Sequence, residues 1–139
     1  MAYWLFKSEP EAWSWAQQKK AGKAGTEWTG VRNYQARNNM RAMKLGDKGF
    51  FYHSNECKAV VGIVEVAKLA HKDSTSDADT WECVDIRAVA DVTTPVSLET
   101  IKTDKRLKDM VLVNNSRLSV QPVSEAEWRV ICALGGVTG

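Results

Sequence analysis

The chain begins with "YWLFK" (3–7), whose aromatic and aliphatic density predicts a buried strand. In "SEPEAW" that follows, Ser8 and Glu11 have capping-box spacing and Pro10 suits a first turn, so a helix is predicted to start there. "KKAGKAG" (19–25) ends it in a flexible basic loop. A second helix is predicted over residues 33–44, with Ala36, Met40 and Met43 as its apolar stripe and "LGD" (45–47) as its stop. "GFFYHS" (49–54) and "AVVGIVEVAKL" (59–69) read as strands joined by the polar turn "NECK". Over 81–92, Val84, Ile86, Ala88, Ala90 and Val92 alternate with Asp85, Arg87 and Asp91, the period-2 signature of one buried face. "PVSLETIK" gives a short helix capped by Ser97, and "SRLSVQPV" (116–123) a last strand interrupted at Pro122. Ser124 and Glu127 form a second capping box, opening a helix through Trp128 and Ile131 that stops at Gly135-Gly136. Neither a repeat nor an interdomain linker is visible. The pattern predicts one α+β domain over 1–139: a mixed sheet of about five to six strands, curled into a barrel, with flanking helices.

Composition changes this picture little. The 139 residues are 44% hydrophobic and 26% charged, which argues against disorder. The N-terminus has no basic region before its short apolar run and no small-residue cleavage site, so neither a signal peptide nor a membrane helix is expected. Cys57, Cys83 and Cys132 show no CxxC pairing, and His53 and His71 do not fall at ligand spacing from them. No metal, no other cofactor and no disulfide framework is expected, and a reducing, cytoplasmic setting is the default. A monomer is favoured.

The distribution of charge is more telling than the net +2. In "EWTGVRNYQARNNMR" (27–41), Trp28 lies among Glu27, Thr29, Gly30 and Arg32, with Val31 as its apolar neighbour. No acidic residue lies between 28 and 46, so Arg32, Arg37, Arg41 and Lys44 carry a local surplus suited to phosphates. Asn33, Gln35, Asn38 and Asn39 are amides able to pair with base edges, while Asn33 is equally placed to cap its helix. Trp28 fits either an aromatic platform open to a base or a plug at the barrel end. Trp4 and Trp128 belong to the core by context, and of Trp13 and Trp15 at most one can face it.

Catalytic readings are weaker. Lys7 and Ser8 are adjacent on a strand and point to opposite faces, and the same parity separates His53 from Ser54. No triad spacing and no phosphate-cradling glycine loop is present. An enzyme is therefore not expected. A hydrolase of modified nucleobases would need Lys7 and Glu9 around a nucleophile such as Ser54 or Cys57. A protein-interaction module would instead use the basic face to dock an acidic partner.

Three stretches, "YWLFKSEP", "WTGVRNYQARNNMRAMKLGDKGFFYHS" and "LSVQPVSEAEW", closely resemble the EVE-domain family, which is related to the PUA and YTH folds. The resemblance covers nearly the whole chain and implies a PUA-like barrel that reads nucleic acid, RNA or DNA, carrying a modified base. The base would be a methylated or hydroxymethylated cytosine, or a methylated adenine. By the related YTH pattern Trp28 looks like the first cage tryptophan, with Thr29 contacting the base and Glu9 where a pocket-lining amide stands. A second cage tryptophan is expected near Ile86, and the sequence has none there. The expected base contacts are Trp28, Thr29, Ser8, Glu9, Asn33, His53 and Ser54, with Ser119 and Gln121 from the last strand. The expected phosphate contacts are Arg32, Arg37, Arg41, Lys44 and Arg117. The whole scheme expects an indole open to solvent beside a cleft.

Overall fold

The computed structural model describes residues 2–55, 58–115 and 117–137. Its elements are β1 (Tyr3–Ser8), α1 (Trp15–Lys20), β2 (Thr26–Glu27), α2 (Tyr34–Ala42), β3 (Lys48–His53), β4 (Ala59–Lys72), β5 (Glu82–Ser97), α3 (Leu98–Thr103), α4 (Val111–Asn114), β6 (Val120–Val123) and α5 (Glu125–Gly135). Six strands form one mixed sheet in the order β2-β5-β4-β3-β1-β6. β1 runs parallel to β3, and every other neighbouring pair is antiparallel. A parallel pair requires a crossover, and the one between β1 and β3 carries α1, β2 and α2. That crossover builds the site described below.

Alternation along the central strands divides the interior in two. Trp4 and Phe6 of β1 and Phe51 of β3 enter one core with Trp15, Trp28 and the α2 residues Ala36, Met40 and Met43. Leu5, Phe50 and Tyr52 point the opposite way, into a core closed by Trp128 and Ile131 of α5. There Trp128 stacks on Phe50 at 4.0 Å and on Tyr3 at 4.5 Å.

Gly62 fixes α1 to the sheet. An ideal Cβ at this position would lie 2.2 Å from the Trp15 ring, so the indole rests directly on the β4 backbone. Trp15 Nε1 then donates to Asp91 Oδ1 at 2.7 Å. At the start of the chain, Trp4 Nε1 and the Lys44 amide both donate to the buried Asp47 carboxylate, tying β1 to the turn after α2.

Three expectations are corrected. The sheet is open: among the described residues β2 and β6 are its edges and do not pair, because β2 is two residues long and the chain then leaves the sheet. Ser8 does not cap a helix. It is the buried last residue of β1, and its Oγ donates to the Trp13 carbonyl at 2.6 Å. Residues 9–13 make a turn closed on the Glu9 carbonyl, so α1 begins later, with its capping box at Ser14 and Gln17. The alternation read over 81–92 continues as strand to Ser97. Asn33, Ser97 and Ser124 cap α2, α3 and α5 as expected. The "NECK" turn falls partly, and Cys57 wholly, outside the described residues. No described helix is long and apolar enough to cross a membrane.

Candidate functional site

A cavity of about 480 Å³ opens where β1 ends and the 28–32 segment leaves β2. This is within the range typical of small-molecule sites. Two indoles border it, Trp13 and Trp28, together with Ser8, Glu9, Thr29 and Ser119. Lys7, Glu27 and Arg32 add charge to its edge.

Trp28 is less open than expected. It is 7% exposed and belongs to the first core, meeting Phe6 at 5.4 Å and Phe51 at 5.6 Å in edge-to-face contacts. Its backbone amide donates to the Val84 carbonyl, prolonging the β2–β5 pairing by one residue. The two readings of this residue therefore merge: the indole anchors the core and forms part of a cavity wall.

The second indole comes from the turn before α1, where sequence reasoning looked for it near Ile86. Trp13 is half-buried, and its Nε1 donates to Gln18 Oε1 at 2.8 Å. Gln18 is fully buried, and its Nε2 donates to the Ile86 carbonyl at 3.1 Å. The amide thus relays the fixed position of β5 to the Trp13 ring. The available sequence signal was the Trp13/Trp15 pair, of which at most one could face the core. Thr26 and Glu27, which also line the cavity, carried none.

The rim is built on Asp73, which is 1% exposed on its side chain. It accepts from the Gly30 amide at 2.9 Å, Arg32 Nη1 at 3.2 Å, the Thr75 amide at 2.8 Å and the Thr75 hydroxyl at 2.6 Å. Burial alone would raise its carboxyl, but the Thr75, Gly30 and Arg32 donors outweigh it and hold the group down at about 2. Gly30 reaches this arrangement with φ +84°, a conformation that suits glycine. The loop carrying Thr29 is therefore pinned by a buried carboxylate.

Several expected base contacts serve the fold. Asn33 Oδ1 accepts from the Ala36 amide as the α2 cap. His53 Nε2 accepts from the Trp15 amide at 3.0 Å, and burial lowers its pKa, consistent with a neutral ring. Ser54 donates its amide to the Ser8 carbonyl. Gln121 is fully buried and donates to the Leu118 carbonyl at 2.7 Å. None of these four lines the cavity. Asn39 pins α2 to the Val120 carbonyl at 2.7 Å, and Asn38 holds Arg37. Composition cannot tell an amide that meets a base edge from one that holds a backbone carbonyl.

The cations also find partners across the sheet. Arg32 pairs with Asp73 and Arg41 with Glu82, while Arg37 Nη1 donates to the Thr80 carbonyl at 2.9 Å. The segment's positive surplus is thereby partly neutralised by acids some forty residues away. Of the five expected phosphate residues, only Arg32 lines the cavity; Lys44 and Arg117 are exposed elsewhere. Lys7 and Glu9 do border it together, and burial lowers the Lys7 pKa. Ser54 does not join them.

Among the described residues, one cluster has metal-ligand chemistry. Glu27, His71 and Cys83, from β2, β4 and β5, bring a carboxylate, an imidazole and a thiol within 4.8 Å of one another. These donors already serve each other and their neighbours. Cys83 Sγ donates to Glu27 Oε1 at 3.8 Å, His71 Nε2 meets Asp85 at 2.7 Å, and burial with three nearby carboxylates pushes the thiol up to about 12. Sequence spacing could not reveal the cluster, because strand pairing alone assembles it.

With the open mixed sheet and the indole-lined cavity in view, the relationship to known proteins is direct. The EVE domain model matches residues 2–134, and the chain belongs to that family. The crystal structure of protein Atu2648 from Agrobacterium tumefaciens is similar at 62% identity and a TM-score of 0.97, covering 99% of this chain and 94% of that one. Human thymocyte nuclear protein 1, solved in complex with DNA containing 5-methylcytosine, is similar at 35% identity and a TM-score of 0.89, with all of both chains covered. A YTH domain from Zygosaccharomyces rouxii shares 16% identity at a TM-score of 0.57, over 96% of this chain and 86% of that one, a likeness of fold alone.

Proposed function

We propose that this domain binds nucleic acid by admitting one modified nucleobase to the cavity between Trp13 and Trp28, without turning it over. The observation that carries this reading is the pairing of two indoles with short polar side chains and a rim arginine around one cavity of about 480 Å³. A flat heteroaromatic ring presents apolar faces and a polar edge, and this lining offers both. A stacked base contributes about 1–3 kcal/mol. Ser8, Thr29, Ser119 and Glu9 are the groups available to its edge, and Arg32 to an adjoining phosphate.

The DNA carried by the human relative makes a 5-modified cytosine the first ligand to try. Burying one added methyl is worth only about 0.8 kcal/mol. Sharper selectivity must come from a polar group left unpaired by the wrong base, and Glu9 and Thr29 are the candidates.

The test is binding of single-stranded and duplex oligonucleotides, each with and without one modified base, to the native protein and to Trp13→Ala. Preferential binding of a modified strand, lost in Trp13→Ala, is the expected result. Equal affinity for every oligonucleotide by both proteins overturns the proposal. Incubation with modified nucleosides is expected to give no product, and turnover would favour a hydrolase using Lys7 and Glu9.

A further inference from the structure

Beside the cavity lies a row of two rings flanked by two guanidinium groups, of which the base-holding site uses only Arg32. Arg32, on the cavity edge, lies over the Trp81 ring at 5.6 Å. Trp81 stacks on Tyr34 with centroids 4.9 Å apart and planes 31° apart. Arg37 lies 4.9 Å from the centre of Tyr34 and 6.0 Å from that of Trp81. The Asn33 cap makes Tyr34 the first residue of α2, and Arg37 follows one turn later on the same side.

These distances settle which side of Tyr34 is occupied. Were Arg37 and Trp81 on opposite faces of the phenol, they would stand roughly twice the 4.9 Å separation apart. At 6.0 Å they do not sandwich the ring, and part of it is left to solvent. Tyr34 is accordingly 61% exposed, the one aromatic among the described large hydrophobic residues that face solvent. A tyrosine held to one side by an indole and a cation, and 61% exposed, is preorganised for a planar ligand. Its neighbouring guanidinium groups suit a ligand that also carries negative charge.

We propose that the open face of Tyr34 is a stacking subsite for a second base of the same single strand, neighbouring the nucleotide held in the cavity, with Arg37 and Arg32 along the intervening backbone. This rests on the base-binding reading of the cavity and extends it to the flanking chain. The subsite reads no modification and no sequence, because every base offers a π-face. It accepts DNA or RNA by the same contact.

The experiment measures affinity for a fluorescent unmodified single-stranded nonamer, as DNA and as RNA, for the same strand with one central modified base, and for the modified mononucleoside. Native protein, Tyr34→Ala and Tyr34→Phe are compared. Tyr34→Ala is expected to weaken both nonamers about tenfold, with the ring-preserving Tyr34→Phe within about twofold of native. Mononucleoside affinity should not change, nor the slope of log K on log salt, since no charge is removed. The side chain is exposed, so both variants are expected to melt as the native protein does.

Native affinity of Tyr34→Ala for the nonamers overturns the subsite. So does an equal loss for nonamer and mononucleoside, which would mean that the ring acts through the cavity. Absence of any oligonucleotide binding by native protein overturns it as well. Tyr34-dependent binding of the unmodified nonamer with no preference for the modified strand keeps the subsite and removes the modified-base reading instead.

Discussion

The Trp13 indole donates to the buried amide of Gln18 at 2.8 Å, and through it is tied to the Ile86 carbonyl of β5. One wall of the cavity therefore takes its position from β5, although Trp13 itself lies in a turn. Gln18→Leu keeps approximate size and removes both hydrogen bonds. Ile86 keeps its ladder pairing with Thr26, so the expected cost is that of two lost hydrogen bonds, about 1–3 kcal/mol. Denaturant unfolding checks the stability, and a red shift in tryptophan emission would report a loosened Trp13.

Trp28→Ala should behave differently from Trp13→Ala. The first removes a residue 7% exposed that packs on Phe6 and Phe51, and a loss of about 3–5 kcal/mol is expected. The second removes a half-buried ring and should cost far less. Thermal melts of the two variants check this. It follows that lost binding in Trp28→Ala would not by itself assign that indole to the ligand.

Asp73 sets an acid limit on the rim. Its carboxyl titrates near 4 in an unfolded chain and at about 2 in the folded protein. Between those values the unfolded chain binds more protons, so stability from this group is present in full above pH about 4 and is lost as pH falls toward about 2. Unfolding midpoints for native protein and Asp73→Asn, measured across that window, should differ most above pH 4 and converge at its acid end.

Gly62→Ala tests the seat of α1. The added Cβ would fall 2.2 Å from the Trp15 ring and cannot be absorbed without moving the indole. A loss of about 1–3 kcal/mol is expected. Weakening of the Trp15–Asp91 hydrogen bond should accompany it, visible in the indole proton resonance. An unchanged melting temperature would show that α1 is not held this way.

Much of the fold was written locally. The caps at Asn33, Ser97 and Ser124 were legible because a side chain bonds an amide three residues on, whatever the rest of the chain does. The apolar stripe of Ala36, Met40 and Met43 and the alternation along β5 were legible for the same reason, since periodicity is fixed by the element. Ser8 defeated this logic. Its spacing to Glu11 satisfied a capping box, but pairing of Ser8 with His53 kept it in the sheet, and a ladder position outweighs a cap.

The sequence alone determined the succession of the longer strands and helices, the apolar stripe of α2, the alternation of β5 and the family, because those follow from short-range pattern and from motif. Tertiary structure decided what each polar group does. Asp73 reaches Gly30 and Arg32, Glu82 reaches Arg41, and Gln18 reaches Trp13 and Ile86 only once β5 has been laid beside β2 and β4. A charge or an amide carries no directional pattern along a chain. Its partner is chosen by distance in space, and that distance exists only after the sheet has assembled.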